Sequence, residues 1–340
     1  MNSGSNIQEV LDGLPDVCFP HEADVLRIAC SGDIDLRISC GALEFRATLT
    51  PSGGVVNVMG LAPMLRDFVG DEPGTVEFEL SDGSGSRMRE IEVLPCDVRT
   101  SLPAKELTDQ CFLCLTDATE AKRTCLGHPE SLSVYYPSLA QNPQGWGGTV
   151  RWLEGTVLKQ AALNPGWLQT VMEGDILRAD VSPDRINAHM SAGRKLLDYE
   201  VTLGSRKRRY VIDRSAEPDA TVTLHFLNAF HQPETLHFTG GLELDEKAQR
   251  YAATFGSATR DYRILRTPEL TLRTLIASPF EAEMVAQCAA SKDILLRRRD
   301  GTTESVRCTD SSVKLPASSA EMVTASVTLR YAEETPPEWR

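Results

Sequence analysis

The chain has 340 residues, 41% of them hydrophobic and 24% charged, with a formal net charge of −13. Such a composition belongs to a folded protein with room for two or three domains. The acidic balance excludes a broadly basic surface for phosphate backbones, so nucleic acid is not an expected partner.

Residues 1–20 open with "MNSGSNIQEVLDGLPDVCFP", which has neither the basic start nor the apolar centre of a secretory signal. No stretch reaches the ~18 apolar residues of a membrane span, so membrane insertion is not expected. The nine cysteines are odd in number and scattered, which points to reduced thiols rather than a disulfide framework.

The first β-sandwich-like domain is expected over 21–98. Leu26, Ile28 and Cys30 alternate, as do Ile34, Leu36, Ile38 and Cys40, then Leu43, Phe45, Ala47 and Leu49. Period two marks strands with one buried side. "GLAPMLRDFVG" changes to helical spacing, with Leu61, Met64, Leu65 and Phe68 on one face between glycines. "TVEFELSDGSGSRMREIEVLP" then reads as a hairpin with a Gly/Ser tip.

Residues 99–110 read as a linker, and a second β-domain is expected over 111–215. Its strand candidates are "CFLCL", "SLSVYY", "GTVRWLEGTVL" and "LLDYEVTLGSRKRRYVID". The last of these is a late hairpin whose second arm begins with basic residues, a weak echo of the hairpin in the first domain.

A C-terminal β-domain follows over 216–335. Within it the sequence predicts a helix over 279–290: Ser278 suits the cap, Pro279 the first turn and Glu281 a capping box. Phe280, Met284 and Cys288 fall on one stripe. A hairpin around Asp300 and Gly301 and a closing strand with Val323, Ala325, Val327, Leu329 and Tyr331 on one side complete the domain. Residues 336–340 are a polar tail. The expected fold is mainly β, in tandem β-sandwich-like modules with one substantial helix in the C-terminal module.

The chemistry-bearing residues are few. Cys111, Cys114, Cys125 and His128 stand at C-x2-C-x10-C-x2-H, close to zinc-ribbon spacing. Against zinc, "CFLCL" reads as an apolar strand that sends Cys111 and Cys114 to opposite faces, with cysteine as a small buried hydrophobe. His225, His231 and His237 are six residues apart. Pro233 and Glu234 suggest a turn between the first and last, and packing or solvation is the favoured role. "GWGG" at 145–148 lacks the strand-to-helix context of a phosphate loop. There is no G-x-S-x-G, Walker or H-E-x-x-H motif, so no catalytic residue and no cofactor are expected.

Trp146, Trp152 and Trp167 are the glycan-stacking residues under an alternative reading as a carbohydrate-binding module. The runs Arg206, Lys207, Arg208, Arg209 and Arg297, Arg298, Arg299 read as solvated hairpin edges or as subunit contacts that meet a neighbour's carboxylates.

"FLCLTDATEAKRTCLGHPESLSVYY", "DYEVTLGSRKRRYVID", "FLNAFHQPET" and "SVTLRYAEETPP" resemble a family of tail or baseplate structural proteins from Bacteroides-type bacteria and their prophages. These pieces touch most of residues 111–335; the first hundred residues match only in general style. The resemblance implies a non-enzymatic structural protein, made in the bacterial cytoplasm and carried in a virion or tail-like particle. Its implied partners are further copies of itself and other tail or baseplate proteins. In that family the "FLCL" region is a strand without paired cysteines, which implies that the zinc-like spacing is coincidental. A zinc protein using Cys111, Cys114, Cys125 and His128 stands as the second alternative.

Overall fold

The computed structural model describes residues 6–114, 120–137, 145–213, 222–238, 241–276, 279–297, 301–314 and 323–332. The chain divides into two units, Met1–Cys111 with Ala229–His231, and Phe112–Asn228 with Gln232–Arg340. This division has no border at 215/216, where the sequence reading puts one. The second unit does hold two separate hydrophobic cores, one on either side of that position. The protein is mainly β, in sandwich-like modules. No helix among the described residues is long and apolar enough to cross a membrane.

In the first unit the strands are β1 (Val17–Cys18), β2 (Val25–Ala29), β3 (Ile34–Cys40), β4 (Leu43–Leu49), β5 (Val55–Met59), β6 (Gly74–Asp82) and β7 (Gly85–Val93). Five form a sheet in the order β1-β7-β6-β3-β4, and β2 pairs with β5. Helix α1 (Ile7–Asp12) and helix α2 (Leu61–Val69) cover the core. The alternation read in the sequence places Leu26, Ile28, Ile34, Leu36, Ile38, Val76, Phe78 and Leu80 inside.

Helix α2 lies between Gly60 and Gly70, whose φ values of 77° and 61° only glycine adopts without strain. Leu61 and Leu65 are buried, and Met64 and Phe68 pack half-buried beside them. Asp24 accepts from the Ala62 amide at 2.9 Å and satisfies one of the helix's open donors.

Two expectations change here. β4 is a strand, but Leu43 and Phe45 are exposed and its neighbours at best half-buried, because it is the last strand of its sheet and nothing among the described residues covers that side. Within the expected linker, Ala104–Gln110 form helix α3, started by Pro103. The Glu22 carboxylate accepts from the Ala104 amide at 3.0 Å, placing negative charge at the helix's positive end.

The second unit begins with a further correction. "CFLC" is not a strand: Cys111 ends α3 and Phe112–Cys114 run through bends. The Leu113 amide donates to the Ser133 carbonyl at 2.8 Å. Leu115 lies outside the described residues.

The elements that follow are β8 (Ala121–Thr124), β9 (Ser131–Tyr135), β10 (Trp146–Glu154), β11 (Val157–Ala162), β12 (Gln169–Glu173), β13 (Ile176–Asp180), α4 (Pro183–Ala188), β14 (Arg194–Leu203) and β15 (Arg206–Ile212). They form one sheet in the order β11-β10-β14-β15-β8 and another in the order β12-β13-β9. Gly148, from the "GWGG" run, sits where a Cβ would meet the Glu200 carbonyl oxygen at 1.8 Å. Its glycine serves the close approach of β10 to β14 rather than a phosphate.

The last module has β16 (Val222–Leu227), β17 (Pro233–Phe238), β18 (Gly241–Phe255), β19 (Ala258–Ile276), α5 (Pro279–Ala290), β20 (Ile294–Arg297), β21 (Thr303–Lys314) and β22 (Val323–Tyr331). All but the helix join one seven-stranded sheet, β17-β16-β20-β21-β22-β19-β18. Helix α5 spans the expected residues, and its stripe of Phe280, Met284 and Cys288 is buried. Ser278, its expected cap, lies outside the described residues. The Glu281 carboxylate meets Arg123 of β8, with Nη2 at 2.7 Å.

Strands β18 and β19 are far longer than the rest. β19 pairs with β22 only over Leu270–Ile276, so Asp245–Phe255 and Ala258–Glu269 pair with each other alone among the described ladders. Eleven residues at strand rise make a two-stranded ribbon roughly 35 Å long. Its exposed side chains include Phe255 (71% exposed) and Tyr262 (67%), with Leu244 (66%) just before its base.

Candidate functional site

Strand β16 pairs antiparallel with β17 so that Thr223 faces His237 and His225 faces Thr235. The four alternate along their strands and therefore share one face. Two of the three evenly spaced histidines thus become cross-strand neighbours because the turn lies between them. The third, His231, falls in the first unit at φ 55°, with Nδ1 2.7 Å from Asp71 and Nε2 3.0 Å from Asp97.

The same face receives the segment between β8 and β9. Gly127 turns at φ 87°, and its amide donates to Asp184 at 2.7 Å. That turn delivers Cys125, His128 and Glu130 to the two strands. The His128 and His237 rings meet edge to face with centroids 4.5 Å apart. Thr223 Oγ1 bridges them, bonded to Nδ1 of His128 and lying 3.2 Å from Nδ1 of His237. His237 Nε2 is 3.1 Å from Glu130 Oε1.

Beside the imidazoles is a buried ion cluster. Lys122 Nζ contacts Glu130 Oε2 at 2.6 Å, binds Glu234 Oε1, and donates to Thr235 Oγ1 at 3.2 Å. Lys122, Glu130 and Glu234 are all buried. Burial favours the neutral form of Glu130, but Lys122 and His237 outweigh it and bring its carboxyl down to about 2. Burial likewise opposes the charge on Lys122, and the two glutamates hold it above its ordinary range. His128 is pushed down to about 4 by burial, with the neighbouring His237 and Arg297 acting the same way. Burial raises the Cys125 thiol to about 12, helped by Glu130. A cleft of about 450 Å³ opens next to the cluster, lined in part by Glu130, Ser131, His225, Glu234 and Thr235.

Among the described residues, Cys125, His128 and His237 form the group able to hold a metal ion: the sulfur and one nitrogen of each ring lie within 4.8 Å of one another. Half of the zinc-like sequence pattern is therefore brought together, and half is not. Cys111 belongs to the first unit, at the end of α3. Cys114 is buried in a core with Phe112, Trp146 and Tyr210. His237 takes their place from 109 residues beyond His128. The one signal for it was the even spacing of the later histidines. None of the nine cysteines is in a disulfide.

The other sequence candidates scatter. Arg208 is buried, not solvated, with its guanidinium 4.7 Å over the Phe280 ring. Its position on β15 alternates inward while Lys207 and Arg209 stay outside, and Arg206 is half-buried. Arg209 reaches Asp198 within its own sheet at 3.6 Å. Arg297 donates to the Gly127 carbonyl at 3.3 Å; Arg298 and Arg299 lie outside the described residues.

Trp146, Trp152 and Trp167 do not form an exposed platform. Trp146 is buried against Phe112, with ring centroids 6.1 Å apart, and Trp152 is buried under Arg194. Trp167, half-buried, stacks on His189 at 5.4 Å. Each packs onto its own module, and the three do not share one exposed face.

No protein-family model and no curated protein matches the chain. Among solved structures it is similar to part of a gene transfer agent virion, at 10% identity and a TM-score of 0.23, over 32% of this chain and 91% of that one. It is also similar to the I-band fragment I67–I69 of titin, at 9% identity and a TM-score of 0.16, over 91% and 83%. A bacterial ice-binding adhesin gives 10% identity and a TM-score of 0.17, over 77% and 89%. Scores this low carry no argument about what the chain does.

Proposed function

We propose that this protein is a structural component of a phage or prophage tail or baseplate that works by assembling with copies of itself and with other tail proteins, without catalysing a reaction. The observation that carries the reading is the ribbon formed by β18 and β19. A two-stranded ribbon with open edges offers unpaired backbone donors and acceptors along its length, the surface by which a strand is added from a neighbouring chain. Phe255 and Tyr262 supply exposed aromatic contacts along it, and Leu244 an apolar one beside its base. Strand β11, exposed throughout, offers a second edge that is unpaired among the described residues. The tail or baseplate assignment itself comes from the sequence resemblance over residues 111–335.

The ribbon's base is built to transmit load rather than to flop. Glu269 is buried where β19 meets β22. It accepts from Arg330 Nε at 2.7 Å and lies 2.5 Å from Lys247 Nζ across the ribbon. Hydrogen bonds from Lys247 and Arg330 hold its carboxyl below the usual range.

The test is native mass spectrometry of the full chain over a concentration series, beside a variant in which Asn-Gly replaces residues 248–266. That cut keeps the Lys247–Thr267 pair and closes it with a turn suited to antiparallel strands. The expected outcome is a closed oligomer for the full chain and a monomer of unchanged melting temperature for the shortened one. Assembly that survives the cut, or a full chain that stays monomeric at every concentration, overturns the reading.

A further inference from the structure

We propose that Cys125, His128 and His237 form a binding site for a zinc-class metal ion, with Glu130 orienting one of the imidazoles. The ligand types suit that class: one thiolate and two imidazoles favour zinc over the oxygen-seeking calcium and magnesium. Zinc–sulfur and zinc–nitrogen bonds put tetrahedral ligand atoms about 3.5 Å apart. The three atoms here lie within 4.8 Å of one another. A contraction of about 1 Å is enough to close the site.

The surrounding hydrogen bonds already sort the protons. Glu130 Oε1 lies 3.1 Å from His237 Nε2, and as a carboxylate it accepts from that N–H. In the neutral ring this leaves Nδ1 of His237 as a lone pair. The Thr223 hydroxyl has one proton to give and two imidazole nitrogens beside it. Donation to His237 Nδ1 makes it accept from His128 Nδ1–H, and His128 Nε2 is then the open lone pair. With His237 neutral, the chain Glu130, His237, Thr223, His128 thus assigns one tautomer to each ring.

On metal binding the Thr223 proton turns away from His237 Nδ1, while Thr223 still accepts from His128. Glu130 to His237 to metal is then the carboxylate–histidine–metal arrangement that orients ligands and raises their basicity. Cys125 binds as thiolate, so one proton leaves the thiol as the metal–sulfur bond forms. Three protein ligands leave the fourth position to water or to a ligand.

This site is independent of the ribbon, and its test does not depend on assembly. The purified full chain is loaded with Zn²⁺, desalted and weighed by native mass spectrometry. A Co²⁺-loaded sample is read for thiolate-to-cobalt charge-transfer absorption, which requires a Co–S bond and needs no variant. The expected results are one zinc per chain and a charge-transfer band. Cys125→Ser and His237→Gln lose stoichiometric zinc, Cys111→Ser keeps it, and Glu130→Gln binds about 10–100-fold more weakly. Circular dichroism confirms that each variant is folded. No band in the wild-type chain overturns the site. So does zinc lost from Cys111→Ser but kept by His237→Gln, which restores the C-x2-C pattern, or zinc kept equally by every variant, which marks an adventitious ion.

Discussion

Two charged regions of the second unit have opposite fates. Around Lys122, Glu130 and Glu234 every charge is buried and answered by another. Along the ribbon, Glu243, Asp245, Glu246, Lys247 and Arg250 stand exposed. The first set has lost its water and depends wholly on its partners; the second keeps its water and depends on partners hardly at all. The same residue types therefore hold one region together and leave the other available.

The largest expected effect removes one member of the buried cluster. Lys122→Met leaves Glu130 and Glu234 buried without their cation, and a loss of about 3–5 kcal/mol is expected from urea unfolding. A loss below about 1 kcal/mol would mean that water reaches the glutamates, and the contrast with the ribbon would fail.

A pair of glycines sharpens the same comparison at intermediate size. Gly148→Ala drives a methyl into the Glu200 carbonyl of the neighbouring strand and is expected to destabilise by about 3 kcal/mol. Gly256→Ala, at the ribbon's turn, has φ 64° and open space around it. Only the cost of the left-handed backbone remains, about 1 kcal/mol. Differential scanning calorimetry on the two variants gives the ordering directly.

The smallest effect is expected at the ribbon's side chains. Phe255→Ser and Tyr262→Ser lie outside every core, and each should change unfolding stability by no more than about 0.5 kcal/mol. A larger loss would show that intrachain contacts such as that of Tyr262 with Tyr251, rings 6.3 Å apart, stabilise the fold and that these side chains are not kept for a neighbour.

Legibility in the sequence followed how local each feature is. Helices α2 and α5 announce themselves through glycine brackets, a proline in the first turn and an apolar stripe, all within a dozen residues. Most hairpins were equally plain from alternation and turn residues. "CFLCL" misled because a short apolar run fits a strand and a bend beneath a core equally well. The face of β4 misled because alternation says which side chains share a side, not whether anything covers it. The ribbon went unread because "LDEKAQRYAATFGSATRDYRIL" has no apolar side to betray its period; its strands exist by pairing with each other.

The candidate metal group shows the deeper limit. Cys125 and His128 are three residues apart and easy to notice. His237 joins them only because β17 pairs with β16 in one register, and a shift by one residue would turn it to the other face. Arg208 is the converse case. Its basic run looked uniformly solvated, yet period two on β15 sends alternate members inward.

The four-residue strand β8 has a mechanical consequence. Consecutive residues on it point to opposite faces, Lys122 to Glu234 on β17 and Arg123 to Glu281 on α5. Both partners belong to the last module, while β8 itself is hydrogen-bonded to β15 of the middle one. Strand β8 is therefore one of the places where the middle and last modules are joined, beside the contacts of His128 and Glu130 with β16 and β17. It is gripped from both sides, like a tongue in a joint, so withdrawing it from the last module breaks an ion pair on each face.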